Sequence, residues 1–335
     1  MKKISILVPC YNEVENVGPM SEALTALFEQ GAALENYDHE ILFIDNCSTD
    51  GTRDEIEKIC AGDKKIKAIF NVRNFGQFNS PYYGMQQTTG DCTVVICCDF
   101  QDPVEMVPQF VKEWEDGWQI VCGVKATSKE NPFIRHLRTI YYRMIKRMSD
   151  VDIIEHFTGF GLYDKSFIDT LKTFDEPEPF LRGIVAELGG KIKTVPYEQQ
   201  KRAAGKTHNN FKTLYDAAML SFTSYTKVGI RISTFIGGGI GLVSLIVGLV
   251  YLIMKLVNWN TFQAGMAPVL IGMFFLGAVQ LFFIGVLGEY IMYIGGHVKH
   301  RPLVVVEKRL NFDTDEVKTD GTEQKTECAD KTDRT

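Results

Sequence analysis

The sequence lacks the two commonest nucleotide-binding signatures. No G-x-G-x-x-G follows its first strand-like run and no G-x-x-x-x-G-K-[ST] occurs anywhere, which weighs against a dinucleotide fold and against a phosphate-loop enzyme. It also lacks any C-x-x-C pair among its eight cysteines. Cys97 and Cys98 are adjacent, so in an extended segment they point to opposite faces, and Cys10, Cys92 and Cys122 lie in or beside apolar runs. Small buried thiols in a reducing compartment account for this better than zinc or disulfides. There is no basic excess: 36 Lys and Arg stand against 42 Asp and Glu, a net charge of −6, and no nucleic-acid partner is expected. The start, MKKISILVPCYNE, has only five residues, Ile4 to Val8, between its positive end and Pro9. A signal-peptide core needs about seven to fifteen apolar residues, so this reads as a first strand.

What is present is unevenly distributed. Asn311 to Thr335 holds eight acidic and four basic residues, a net −4, which leaves −2 for the rest of the 335 residues. With Phe312 and Val317 its only large apolar residues, this tail is expected to be disordered. The length calls for one large or two modest domains.

From Ile4 to Val195 short apolar runs alternate with helix-like segments: Ile4 to Val8, Ile41 to Ile44, Ile66 to Phe70, Val94 to Cys98, Ile120 to Val124 and Ile192 to Val195. Strands separated in this way imply right-handed βαβ units and a Rossmann-like, mostly parallel sheet, so the class is α/β. The stretch around which the others are arranged is Thr93 to Pro103, TVVICCDFQDP. A buried strand running into Asp99, Gln101 and Asp102 places them beyond the carboxyl end of the sheet, where open α/β folds bind ligands. Alternation in an extended segment puts Asp99 and Gln101 on one side, two hard oxygens able to hold Mg²⁺ or Mn²⁺ against a diphosphate. A competing account has Asp102-Pro103 simply capping a helix, which would use Asp102 and leave the other two free. After the second strand, in Asp45-Asn46-Cys47-Ser48-Thr49-Asp50, Asp45 can accept from a base or ribose and Asp50 is expected to cap the next helix.

The ordered set PCYNE (Pro9 to Glu13), IDNCSTDGT, NFGQ (Asn74 to Gln77) and CDFQDP resembles the family 2 glycosyltransferases, whose fold is of the GT-A type. Further on, SDVDI, GFGLYD, FLRG, VPY and Arg202-Ala-Ala-Gly-Lys-Thr207-His208 are similar to the branch acting on polyprenyl phosphates, and the likeness spans about residues 4 to 310. It implies a nucleotide-sugar donor, UDP-linked in the first instance with GDP left open, contacted by Pro9, Tyr11, Glu13, Asp45, Asn74, Gln77, Asp99, Arg202 and Thr207. Asp99, Gln101, Asp102 and Arg202 would be catalytic, with the metal on Asp99 and Gln101. Three departures stand out. Cys97 occupies the first Asp of D-x-D-x-Q, Gly159 and Gly161 replace a commonly found Asp and Arg, and His208 ends the basic motif differently. The missing base is tolerable for a phosphate acceptor, whose second pKa of roughly 6 leaves much of it a dianion near neutral pH.

A phosphate acceptor needs cations. Lys125 to Arg147 carries seven basic residues against Glu130, and Lys191 to Lys212 six against Glu198. Arg135, Arg138, Arg143 and Arg182 are the expected acceptor-phosphate contacts, although for any one of them a solvated helix face beside a membrane fits equally. The end of the chain supplies the membrane. Ile232 to Met254 is 23 residues without a charge, about 35 Å as a helix against about 30 Å of hydrocarbon, and a second span is expected over about Met266 to Gly288. Phe211, Leu214, Tyr215, Ala218, Phe222 and Tyr225 fall at helical spacing before them and suit an interfacial amphipathic helix. Basic residues outside both spans place the two ends in the cytoplasm.

The expected layout is thus a GT-A domain over 1–209, a juxtamembrane helix over 210–231, two transmembrane helices within 232–298 (232–254 and 266–288), a cytoplasmic segment over 299–310 and the tail. The expected reaction is inverting transfer of a sugar to a polyprenyl phosphate at the cytoplasmic membrane face, with homo-oligomerisation left open. Two alternatives remain: a processive polysaccharide synthase, against which Gln199-Gln200-Lys201-Arg202 is followed by Ala203 where such enzymes carry Trp, and a catalytically decayed nucleotide-sugar scaffold.

Overall fold

A computed structural model of the protein describes residues 1–127, 154–177, 179–200, 202, 228–257, 266–299 and 301–312. The chain divides into two compact units, one built on a sheet and one holding the two long helices.

In the first unit β1 (Lys3–Cys10), β2 (Asp38–Asp45), β3 (Ile66–Asn71), β4 (Cys92–Val95), β5 (Ile120–Thr127), β6 (Phe157–Asp164), β7 (Ile192–Glu198) and β8 (Val306–Leu310) form one eight-stranded sheet. Its order is β7-β5-β6-β4-β1-β2-β3-β8. β1 pairs in parallel with β2 and β4, β2 with β3, and β5 with β7, whereas β6 and β8 run antiparallel to their neighbours. The central runs are apolar throughout because both faces are covered. Ile4, Ile6, Val8, Phe43, Phe70 and Val94 point to one side, where α1 (Val14–Ala26), α2 (Thr52–Gly62) and α4 (Val107–Glu115) supply Val17, Met20, Ile56 and Phe110. Leu7, Leu42, Ile44 and Ile69 point to the other, under α3 (Gly76–Gln86), α5 (Lys165–Leu171) and α6 (Leu181–Leu188). Each such side chain removed from water contributes about 1.5–3 kcal/mol.

The α/β class and the mostly parallel sheet agree with the expectation, and three local features do not. β4 ends at Val95 rather than Cys98: the Ile96 N–H still reaches the Leu7 carbonyl at 3.0 Å, after which the chain turns. β6, an antiparallel strand inserted between β4 and β5, was legible only as the motif GFGLYD, because its glycines interrupt the apolar pattern. Gly161 is required there, since a Cβ would lie 2.3 Å from the Val121 carbonyl oxygen. Finally, the segment over 299–310 contains β8, which covers the β3 edge that would otherwise present unpaired backbone groups. Asn311, assigned from sequence to the disordered tail, donates from Nδ2 to the carbonyls of Cys60 and Ile66 at 2.7 Å. Its amide stops the strand inside the fold, so the ordered chain extends at least to Phe312.

The second unit holds α7 (Val228–Val257) and α8 (Met266–Val298). Among the described residues one helical stretch, Phe275–Val298, is long and apolar enough to cross a membrane. It lies toward the C-terminal end of α8 relative to the expected Met266 to Gly288 and takes in Glu289. Residues 210–227 of the expected interfacial helix lie outside the described residues, and 228–231 open α7.

At the amino ends of the central strands, Glu40 is buried and accepts from Ser5 Oγ at 2.6 Å, Lys3 Nζ at 2.9 Å and the Thr89 N–H at 2.7 Å, with Lys67 Nζ at 3.1 Å. Burial alone would raise its pKa, but these partners outweigh burial and bring it from about 4.5 to about 2. A depressed folded-state pKa stabilises the fold above the unfolded value and ceases to do so as pH falls toward the folded one. We therefore expect Glu40→Gln to lower unfolding free energy at pH 7 by on the order of 3 kcal/mol. In urea titrations from pH 7 to 3 the gap between wild type and variant should narrow below about pH 4.5.

Candidate active site

Three parallel strands and the exit of β7 deliver the polar residues of the site to one edge of the sheet. The turn after β1 is held left-handed at Asn12 (φ 55°), a conformation short polar side chains tolerate. Its N–H donates to Ser48 Oγ at 2.8 Å, its Oδ1 accepts from the Thr49 N–H at 2.9 Å, and the Glu13 N–H donates to Thr52 Oγ1 at 2.8 Å. The loops after β1 and β2 are therefore one bonded structure. The N-cap of α2 is Gly51 and not the expected Asp50, which sits one residue before it; its carboxylate accepts from the Thr52 N–H at 3.0 Å and from the Val14 N–H at 3.2 Å, the first residues of α2 and α1.

Asp45 is fully buried. Its carboxylate accepts from the N–H groups of Cys47 and Ser48 at 3.1 Å and from Arg53 Nε at 2.8 Å. These bonds make Asp45 the residue that shapes loop 46–49. On the neighbouring loop, Asn74 Oδ1 accepts from Asn46 Nδ2 at 2.9 Å and from the Gly76 N–H at 2.8 Å, while Gln77 is exposed on the first turn of α3. Pro9 and Tyr11 are half-buried on the first turn.

The segment after β4 is a turn, which overturns placement by strand alternation. Phe100 is left-handed (φ 56°), and the Gln101 N–H bonds back to Asp99 Oδ1 at 3.1 Å. Asp99 and Gln101 are thus brought together by the backbone reversal. The exit of β7 is tied to this turn by the Gln200 N–H, which donates to the Gln101 carbonyl at 3.0 Å. Two residues later Arg202 bridges two carboxylates, bonding Glu13 and lying 3.8 Å from Asp99 Oδ2. The Glu13 carboxyl is pushed up by burial, against which the Asn16 amide at 2.6 Å and the Arg202 charge act.

Asp102 is neither a helix cap nor open to a ligand. The 3₁₀ turn Val104–Met106 that precedes α4 has no side-chain cap, and Asp102 is buried with its Oδ1 accepting from the Tyr197 hydroxyl at 2.5 Å. Burial raises its pKa, and Tyr197 together with the Lys125 charge opposes that rise. The contact that the structure gives it is support of the turn that carries Asp99. Tyr197 itself was visible only within VPY, where nothing marked it as polar support. Cys97, expected to be a buried thiol, is exposed.

Gly159 has φ 101°, where an aspartate would be strained, so with Gly161 the two departures from the family pattern follow from the backbone of β6. Arg182, at the start of α6, lies over the Phe180 ring at 5.7 Å, and its charge acts on buried Tyr163, whose hydroxyl donates to the Gly159 carbonyl at 2.8 Å. Arg135, Arg138, Arg143 and Thr207 lie outside the described residues.

Could this edge hold a metal? Among the described residues no group of three metal-binding side chains comes together. Asp99 with 15% of its side chain exposed, a neighbouring carboxylate and a guanidinium already between them form an edge that takes positive charge. One carboxylate completed by water and substrate phosphates is the usual setting of Mg²⁺, and the residues fit that arrangement.

Against known proteins, the model of the family described as glycosyl transferase family 2 matches residues 5–171. A bactoprenol glucosyl transferase of Shigella phage SfX is 31% identical over 308 residues, 92% of this chain and 99% of that protein. A prophage bactoprenol glucosyl transferase homolog of Escherichia coli (strain K12) is 30% identical over 307 residues, 91% of this chain and 99% of that one. Among solved structures, a mannosyltransferase from Pyrobaculum calidifontis in complex with GDP-Man and Mn²⁺ has a TM-score of 0.43 at 16% identity, covering 89% of this chain and 87% of that one.

Tyr197→Phe should leave Asp102 buried without its hydroxyl donor. The expected loss is about 1.5–3 kcal/mol of stability at pH 7, with the Asp102 pKa moving further up. Denaturant unfolding and a carboxyl titration by NMR or infrared difference check both. An unchanged Asp102 titration would remove the supporting role.

Proposed function

This chain belongs to glycosyl transferase family 2, and we propose that it transfers a sugar from a nucleoside-diphosphate sugar to the phosphate of a polyprenyl phosphate lipid, with inversion at the anomeric carbon. The observation that carries this reading is the meeting of Asp99, Glu13 and Arg202 at the carboxyl edge of the parallel strands. The names of the bactoprenol relatives support the acceptor class and make glucosyl the first sugar to test.

The loops after β1 and β2 bind the nucleoside half of the donor, and the Asp99 turn faces its diphosphate. Mg²⁺ or Mn²⁺ held by Asp99 and Gln101 would supply charge neutralisation for the departing nucleoside diphosphate. Arg202 exchanges its contact with Asp99 for donor phosphate oxygens and keeps its anchor on Glu13. An oxygen of the lipid phosphate then forms a bond to the anomeric carbon as the bond to the diphosphate breaks, and the nucleoside diphosphate leaves with the electron pair. The acceptor is largely dianionic near neutral pH, so no residue has to remove a proton, and Gly159 in place of an aspartate is no obstacle. Arg182, with Arg135, Arg138 and Arg143, neutralises the acceptor phosphate. In this proposal α7 and α8 are two spans with both ends on the cytoplasmic side; the apolar Phe275–Val298 stretch supports a span in α8, and the basic residues outside the two helices are the reason for the orientation.

Membranes containing the protein, undecaprenyl phosphate and a panel of radiolabelled UDP- and GDP-sugars test the proposal. The expected outcome is one organic-extractable, acid-labile glycolipid from one donor. Asp99→Asn should lower turnover at least about 100-fold with the melting temperature unchanged, and chelation should stop the reaction until Mg²⁺ or Mn²⁺ is restored. Full activity in Asp99→Asn would remove the metal-site reading, and polymer in place of a single lipid-linked sugar would remove the acceptor reading.

A further inference from the structure

Arg53 occupies a position that the proposed chemistry does not explain. It lies in the first turn of α2 and offers three separate donors to three separate acceptors: Nε to Asp45 at 2.8 Å, Nη1 to Glu307 at 2.7 Å, and Nη2 to the Asn71 carbonyl at 2.5 Å. Its guanidinium also lies over the Phe70 ring at 5.5 Å. A planar fork bonded along three of its directions can neither rotate nor slide, so the orientation of the group is set by whichever acceptors surround it.

All three acceptors are strand residues of the sheet, and one of them comes from far along the chain. Glu307 is in β8, nine residues after α8 ends at Val298. Asp45, in turn, is a buried carboxylate whose other bonds shape loop 46–49 through Cys47 and Ser48. Ser48 holds the Asn12 N–H, and the residue after Asn12 is Glu13, which Arg202 bridges to Asp99. A continuous series of bonds therefore runs from the last strand of the chain to the carboxylates of the site.

We propose that Arg53 and Glu307 are positioning residues for donor binding, and that β8, the strand following the long apolar helix, is a constituent of the donor site as well as an edge cover. This inference rests on the donor reading given above. Without Glu307 the Nη1 donor has no fixed acceptor, the guanidinium is free to tilt, and the Asp45 carboxylate it aims loses its orientation. The loop that receives the nucleoside then samples other conformations, and the donor meets the correct one less often. The acceptor end and the chemical step carry no such dependence.

The neighbouring residue provides the control. Lys308 Nζ pairs with Glu57 at 2.9 Å, with both side chains more than two-fifths exposed, so removing it perturbs the same strand without touching Arg53. In the full-length protein, Glu307→Ala should raise the donor KM roughly tenfold, as expected for loss of one charged hydrogen bond. The turnover number and acceptor KM should stay within about twofold, and the dissociation constant for free UDP or GDP by calorimetry should rise in parallel. Glu307→Gln keeps an acceptor and should lose less, while Arg53→Lys keeps the charge, loses the fork and should behave like Glu307→Ala. Lys308→Ala should match wild type. An equal rise in Lys308→Ala, or a Glu307→Ala protein that binds nucleotide within twofold of wild type, overturns this inference alone. Wild-type protein that binds neither UDP nor GDP overturns the donor reading and this inference with it.

Discussion

Carboxylates crowded at one edge of a sheet repel one another, and the architecture of this chain is in large part the answer to that repulsion. Glu13, Asp45, Asp99 and Asp102 all arrive at the carboxyl edge because β1, β2 and β4 run parallel and end there. Each is met by a partner group: Glu13 and Asp99 by Arg202, Asp102 by Tyr197, all from distant parts of the sequence, and Asp45 by Arg53 eight residues on. Buried charge is tolerable only when paired and hydrogen-bonded. That requirement brings the exit of β7 onto the turn after β4 and α2 against the end of β2. Of these four acids only Asp99 keeps appreciable exposure, and it is the one whose partner is held at 3.8 Å rather than in a close bond. One acid is thus held loosely among others held fast, as the proposed binding of a cation and a diphosphate would need.

The two antiparallel strands show how an α/β sheet of this kind is finished. β6 enters between β4 and β5 and needs glycine to do so, because Gly161 approaches the Val121 carbonyl too closely for any side chain. That geometry forbids an arginine at the place where related proteins commonly have one, and the left-handed Gly159 disfavours an aspartate. β8 closes the opposite edge and brings Glu307 to Arg53.

Much of the fold was legible because burial on two faces leaves an unmistakable pattern. The apolar runs at Ile4, Ile41, Ile66, Val94, Ile120 and Ile192 each mark a strand that exists. β6 escaped because alternating glycines carry no hydrophobic period, and β8 because five residues beyond a long apolar helix look like a basic tail. At the site, Asp99, Glu13 and Arg202 do meet at one edge of the sheet, whereas the strand alternation expected to pair Asp99 with Gln101 is absent. Phe100 adopts a left-handed conformation that no pattern of residue types announces, and a turn rather than a strand brings the two together. Asp45 and Asp102 carried the same ambiguity in opposite directions, each a carboxylate at a strand end whose partner lay elsewhere in the chain.

By itself the sequence determined the α/β class, the edge at which chemistry can occur, the supply of acids and cations there and the apolar helices that follow, because hydrophobic period and residue type are local quantities. Only the tertiary structure decided which acid stays open and which are consumed. That division depends on pairings such as Arg53 with Glu307 and Tyr197 with Asp102, made by residues 254 and 95 positions apart. A contact across that distance is created by the closing of the sheet, and no local pattern encodes it.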